Sequence, residues 1–155
     1  MDYHLRPAAP EDHDWIYACK AASVRPYVEP VWGWDESFQR RDFDSDFASI
    51  GQFRVIETPE KPIGFLQILD GKDYVEVAEL HLQPDCRGQG IGSSILRRLL
   101  ADCRQQGRPL RLGCFKDNHR AKALYQRLGF RQTAETETHC ILEASPEQRM
   151  PDSED

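Results

Sequence analysis

The chain has 155 residues, with 20 Lys and Arg against 26 Asp and Glu, a formal net charge of -6, and 39% hydrophobic residues. That length predicts one domain with a real core, and the mix excludes a disordered chain. The acidic balance argues against nucleic-acid binding, no stretch approaches the roughly 18 apolar residues of a membrane span, and no charged-then-apolar leader opens the chain. A cytoplasmic protein with neither nucleic acid nor membrane as partner is therefore expected.

His4-Leu5-Arg6-Pro7 reads as a short first strand. Pro10-Glu11-Asp12 opens a helix, with acids in its first turn where the helix dipole favours them. Trp15, Ile16, Cys19 and Ala22 follow at helical spacing, and residues 25–33 read as a loop. A second helix is predicted from about Asp35, with Phe38, Phe43 and Phe47 near one face. Strands follow at Phe53–Ile56, Ile63–Leu69 and Tyr74–Gln83, separated by turns at Thr58–Pro62 and Asp70–Asp73. Pro84, which has no N–H to donate, halts the third of these. Leu96, Leu99, Leu100 and Cys103 mark an amphipathic helix from about Gly90 to Gln106, ended by Gly107. Leu110–Phe115 is a strand, Ala121, Leu124, Tyr125 and Leu128 fit a helix capped by Gly129, and residues 130–143 give one or two closing strands. This order predicts an α/β (α+β) domain over residues 1–144. Its mixed sheet should have six to seven strands, two of them parallel neighbours joined by a crossover helix. Residues 145–155 read as an acidic, flexible tail.

The five cysteines, Cys19, Cys86, Cys103, Cys114 and Cys140, are at least 11 residues apart. With no C-x-x-C and no zinc spacing, reduced thiols and no metal are expected.

The densest chemical signal is Arg87-Gly88-Gln89-Gly90-Ile91-Gly92, between a strand and a helix. Glycines let the backbone approach a ligand, and the first N–H groups of a helix lack intrahelical acceptors at its positive end, so the segment suits an anion. The P-loop pattern fails because no Lys follows the glycines, and the dinucleotide pattern fails because position 93 is Ser.

The segment resembles R/Q-x-x-G-x-G/A, the acetyl-CoA signature of the GNAT acetyltransferase family. The strand Glu76–Leu82 and Asn118-x-x-Ala121-x-x-Leu124-Tyr125-x-x-x-Gly129-Phe130 resemble two further parts of that family's pattern. The resemblance covers residues 74–131 tightly and implies the GNAT fold with four helices. It also implies acetyl-CoA as co-substrate and direct acetyl transfer to the primary amine of a small molecule or peptide. An acyl-CoA-binding module with a regulatory or sensor role stays open as the alternative, and so does a homodimer.

The resemblance assigns the pyrophosphate to backbone N–H groups of Arg87, Gly88, Gln89, Gly90, Ile91 and Gly92, with Ser93 adding a hydroxyl and Asn118 a further contact. It assigns the thioester carbonyl to the Leu80 N–H and the pantetheine arm to Leu82. Tyr125 matches the acid that protonates the thiolate. Glu76 and Glu79 are the candidate bases, with His81 on the same strand or a water as the other possibilities; where some family members carry a glutamate on the next strand, this chain has Gly113. The acceptor is assigned to Tyr27, Trp32 and Trp34, aromatics beside carboxylates that suit an organic cation, and to Glu79 and His81. The charge is also unevenly spread: residues 61–130 hold 12 Lys and Arg against 7 Asp and Glu, whereas residues 1–60 hold 6 against 12. A basic middle suits an anionic cofactor, and an acidic first third suits a cationic amine.

Overall fold

The structure is a computed structural model and describes residues 2–147. The predicted tail therefore falls, beyond Glu147, outside the described residues. The elements in chain order are β1 (His4–Pro7), α1 (His13–Trp32), α2 (Glu36–Phe47), β2 (Phe53–Glu57), β3 (Pro62–Asp70), β4 (Val75–Leu82), α3 (Ile91–Gln106), β5 (Leu110–Phe115), α4 (His119–Arg127), β6 (Arg131–Glu135) and β7 (His139–Ala144). Seven strands form one mixed sheet in the order β1-β2-β3-β4-β5-β7-β6. The expected parallel neighbours are β4 and β5, joined through α3.

The chain packs as two compact units. One holds the residues up to Gln67 together with Glu79–Gln89, and the other holds Ile68–Ala78 and the chain from Gly90 onward. In the first, β1 and β2, and β2 and β3, pair antiparallel. Its core is aromatic: Phe43 and Phe47 of α2 pack with Phe53 of β2 and with Ile16 and Tyr17 of α1. Arg6 of β1 grips Asp12 through two hydrogen bonds of 2.8 and 2.9 Å, and the same carboxylate accepts the Ala9 N–H. That clamp fixes where α1 begins. In the second unit β5 and β7, and β6 and β7, pair antiparallel. Ile95, Leu96 and Leu100 of α3 and Leu110, Leu112 and Leu142 are buried there.

Two expectations are corrected. Residues 25–32 are not a loop: α1 continues through Pro26 and Pro30 to Trp32. Proline lacks the N–H that would bond four residues back, but its fixed φ is compatible with a helix. The freed carbonyls belong to Ala22 and Pro26, both exposed to water. An Arg25–Glu29 ion pair and the Gly33 N–H, which donates to the Glu29 carbonyl, support the last turns. The second correction is Phe38, which is 52% exposed rather than sharing the buried face of Phe43 and Phe47.

Candidate active site

β4 pairs with β5 only over Val75–Val77, against Leu110–Leu112. β4 then runs on to Leu82 without a β5 partner, so Leu80 and Leu82 both fall in its unpaired half. The strand also changes phase. The Val75 N–H donates to the Pro109 carbonyl, on the β5 side, whereas the Gln83 N–H donates to the Ile63 carbonyl, on the β3 side. In a regular strand two residues eight apart would point the same way, so the chain changes phase between Val75 and Gln83, the residue just past β4. Gly64 of β3 marks a close approach in this stretch: a Cβ there would stand 2.2 Å from the His81 carbonyl oxygen.

A 3-10 turn, Pro84–Cys86, follows β4 and leads into the glycines. Gly88 and Gly90 have φ of 73° and 84°, values that favour glycine. Gly90 is the residue before α3, so no side chain caps that helix. The first intrahelical bond runs from the Ser94 N–H to the Gly90 carbonyl. The N–H groups of Ile91, Gly92 and Ser93 precede that bond and have no carbonyl one turn back. A Cβ on Gly90 or on Gly92 would meet nothing within 4 Å, so space lies open over both. Uncapped donors at the positive end of a helix, beneath open space, fit a pyrophosphate. The Arg87 side chain is used otherwise: its guanidinium donates to the Leu82 carbonyl at 3.0 Å and to the Ser23 hydroxyl at 3.1 Å. The Gln89 amide donates to the Asp85 carbonyl.

Asn118 caps α4, its side chain accepting the Ala121 N–H at 3.2 Å, which leaves its amide NH₂ as a donor. Tyr125 is half-buried on α4, its ring edge-on to Phe130. Glu76 lies in the paired half of β4, opposite Arg111, whose guanidinium binds Glu143.

Glu79 and His81 come together: the His81 Nε2 and the Glu79 Oε2 are 2.5 Å apart. Lys20 of α1, which sequence reasoning passed over, lies 3.1 Å from the other carboxylate oxygen. The available signal was a lysine beside the buried stripe of Ile16 and Cys19. Burial alone would raise the Glu79 carboxyl, but the hydrogen bond from His81, the charge His81 carries when protonated and the Lys20 ammonium hold it below its ordinary value. Asp46 of α2 is raised, chiefly by burial.

The aromatic corner is arranged differently from its sequence reading. The Trp34 indole N–H donates to Glu36 at 2.7 Å, and the Tyr17 hydroxyl donates to the same carboxylate at 2.9 Å. Arg25 lies over the Trp34 ring at 5.2 Å, and Arg40 lies over Tyr17 at 4.6 Å. Cations of the chain itself therefore sit on these two rings. Trp32 is 60% exposed, and Tyr27 is half-buried on α1.

The family model described as acetyltransferase (GNAT) matches residues 15–130. An uncharacterised N-acetyltransferase of Methanocaldococcus jannaschii is 30% identical over 88 residues, 52% of this chain and 39% of that protein. A candidate ribosomal protein bS18-alanine N-acetyltransferase of Bacillus subtilis is 28% identical over 77% of this chain and 74% of its own. Among solved structures, the PaiA N-acetyltransferase of Thermoplasma acidophilum in complex with coenzyme A superposes with a TM-score of 0.76. It is 18% identical, and the match covers 94% of this chain and 99% of that one, a likeness of fold.

Proposed function

The chain belongs to the acetyltransferase (GNAT) family, and from that premise we propose that it moves the acetyl group of acetyl-CoA to a primary amine by direct transfer. The observation that carries this reading is the uncapped start of α3 behind Gly88 and Gly90. Acetyl-CoA brings an activated thioester and a diphosphate. The backbone N–H groups from Gly88 to Gly92 hold the diphosphate, with Ser93 and Asn118 adding polar contacts; the Arg87 N–H, expected among them, is instead donated to the Pro84 carbonyl. The part of β4 beyond Val77 supplies main-chain donors, and the resemblance assigns the Leu80 N–H to the thioester oxygen and Leu82 to the pantetheine arm. A fixed donor of this kind stabilises charge as it develops on that oxygen. Tyr125, the acid that the resemblance assigns, gives its phenol proton to the departing thiolate.

The acceptor is an amine on a small molecule or on a peptide. The Bacillus subtilis relative, named for an alanine amino group of a ribosomal protein, makes a peptide beginning with alanine one sensible probe. Lysine side chains and aliphatic diamines are the others. The test uses two variants. Gly90→Val forces a branched side chain onto a φ of 84° and into the open space above the helix start, so acetyl-CoA binding measured by calorimetry should be lost. Tyr125→Phe should keep that binding while turnover falls about 100-fold or more. Undiminished binding by Gly90→Val, or an unchanged rate in Tyr125→Phe, would contradict these assignments.

A further inference from the structure

Lys20, Glu79 and His81 are a lysine, a carboxylate and an imidazole in one line. Their side chains are 17%, 20% and 17% exposed. The carboxylate is engaged at both oxygens, Oε1 by the Lys20 ammonium and Oε2 by the His81 Nε2. An ionised carboxylate only accepts hydrogen bonds, so the network assigns the imidazole proton to Nε2. The lone pair of the neutral ring is then on Nδ1. That atom has no hydrogen-bond partner among the described residues, and no buried side-chain nitrogen or oxygen among them lacks one. Nδ1 therefore opens to solvent. Phe65 of β3 packs against the ring with centroids 5.3 Å apart, and Glu79 holds it from the side, so its direction is fixed. The charged groups around it are Lys20 from α1 and Glu79 on β4 itself, with Asp46 and Asp42 from α2 further along the same electrostatic chain. His81 also belongs to the stretch of β4 that outruns its β5 partner.

We propose that His81 is the general base of the transfer, taking the acceptor's proton at Nδ1, with Glu79 and Lys20 as the positioning residues that fix its tautomer and tune its charge. This rests on the N-acetyltransferase reading above. In the step, the amine nitrogen attacks the thioester carbon, the new C–N bond forms and the C–S bond breaks. The amine proton passes to His81, and the thiolate receives the Tyr125 proton. The products are an amide and free coenzyme A, and both side chains return to their starting states through solvent. The arrangement is chemically that of a histidine base oriented by a carboxylate.

The charges predict the sign of the pH dependence. An imidazole base acts only in its unprotonated form, so the rate falls on the acid side. Removing the Glu79 charge disfavours the imidazolium and moves that limb to lower pH, whereas removing the Lys20 charge favours it and moves the limb to higher pH. A merely structural role would lower the rate at every pH and leave the limb in place.

The test measures coenzyme A release against pH with the fastest amine of the panel, for the wild type, Glu79→Gln, Lys20→Met and His81→Asn. Acetyl-CoA binding is the control that each variant is folded. The expected results are opposite shifts for Glu79→Gln and Lys20→Met, and a loss of the limb with about a 100-fold lower rate for His81→Asn. A limb that persists in His81→Asn overturns the base and leaves the acetyltransferase reading standing. A wild type that acetylates no amine overturns that reading, and the base with it. Independently of turnover, ¹⁵N-histidine spectra of the wild type should show His81 protonated at Nε2. A ring protonated at Nδ1 instead would overturn the assignment.

Discussion

Glu36 accepts from Trp34 and Tyr17 and pairs with Arg40, and those bonds, the Trp34 one foremost, hold its carboxyl below its ordinary value. The aromatics and acids of this corner were legible in the sequence, but their partners were not. Arg25 lies nine residues before Trp34, and only the continuation of α1 through two prolines brings it over that ring. His13 is a second residue with a distant partner, Asp44, beside its neighbour Asp14. Its two ring nitrogens face Asp14 and Asp44 at 2.8 and 2.6 Å, and the hydrogen bonds to Asp14 and then Asp44 raise its pKa above 6.5. A raised histidine stabilises the fold fully below 6.5, and that contribution is lost as pH rises through the higher folded value. Urea unfolding should therefore show stability falling by no more than about 1 kcal/mol from mildly acidic to mildly basic pH, since the pair is partly exposed. His13→Gln should remove that slope; a slope unchanged in the variant would assign it elsewhere.

At the scale of elements, the strands through β5 and the four helices were readable where period-2 and period-3.6 patterns record which face is buried, whereas β6, exposed at every residue, left the closing strands as one or two. Helix ends were less so: Pro26 and Pro30 signal a break locally, yet the Arg25–Glu29 pair and the Gly33 cap carry α1 past them. The glycine segment was readable because its φ values and uncapped helix start follow from residue type. The change of phase between Val75 and Gln83 was not, since nothing in Glu76–Leu82 breaks the expected alternation. Gly64, which lies close against His81 and Leu82, was likewise singled out only by the structure. Gly64→Ala would drive a Cβ to 2.2 Å from a backbone oxygen, a contact that must shift. Overpacking of this kind costs about 1–3 kcal/mol. A urea midpoint equal to wild type would show that β3 and β4 do not approach this closely.

Across the whole chain, the formal charge of -6 conceals a basic segment over residues 61–130. That segment contains the start of α3 and Asn118, the groups assigned to the diphosphate. Steering by such charge predicts faster acetyl-CoA association at low salt, with the rate falling as salt screens it. In an acetyltransferase, bound acetyl-CoA is used up on an amine. The most direct test of that is mass spectrometry of the amine panel after incubation with the protein and acetyl-CoA, with free coenzyme A measured in the same samples. Acetylated amine and coenzyme A appearing in equal amounts is the predicted result. Tight acetyl-CoA binding with neither product above the protein-free control would contradict it, and would identify the chain as an acyl-CoA-binding module.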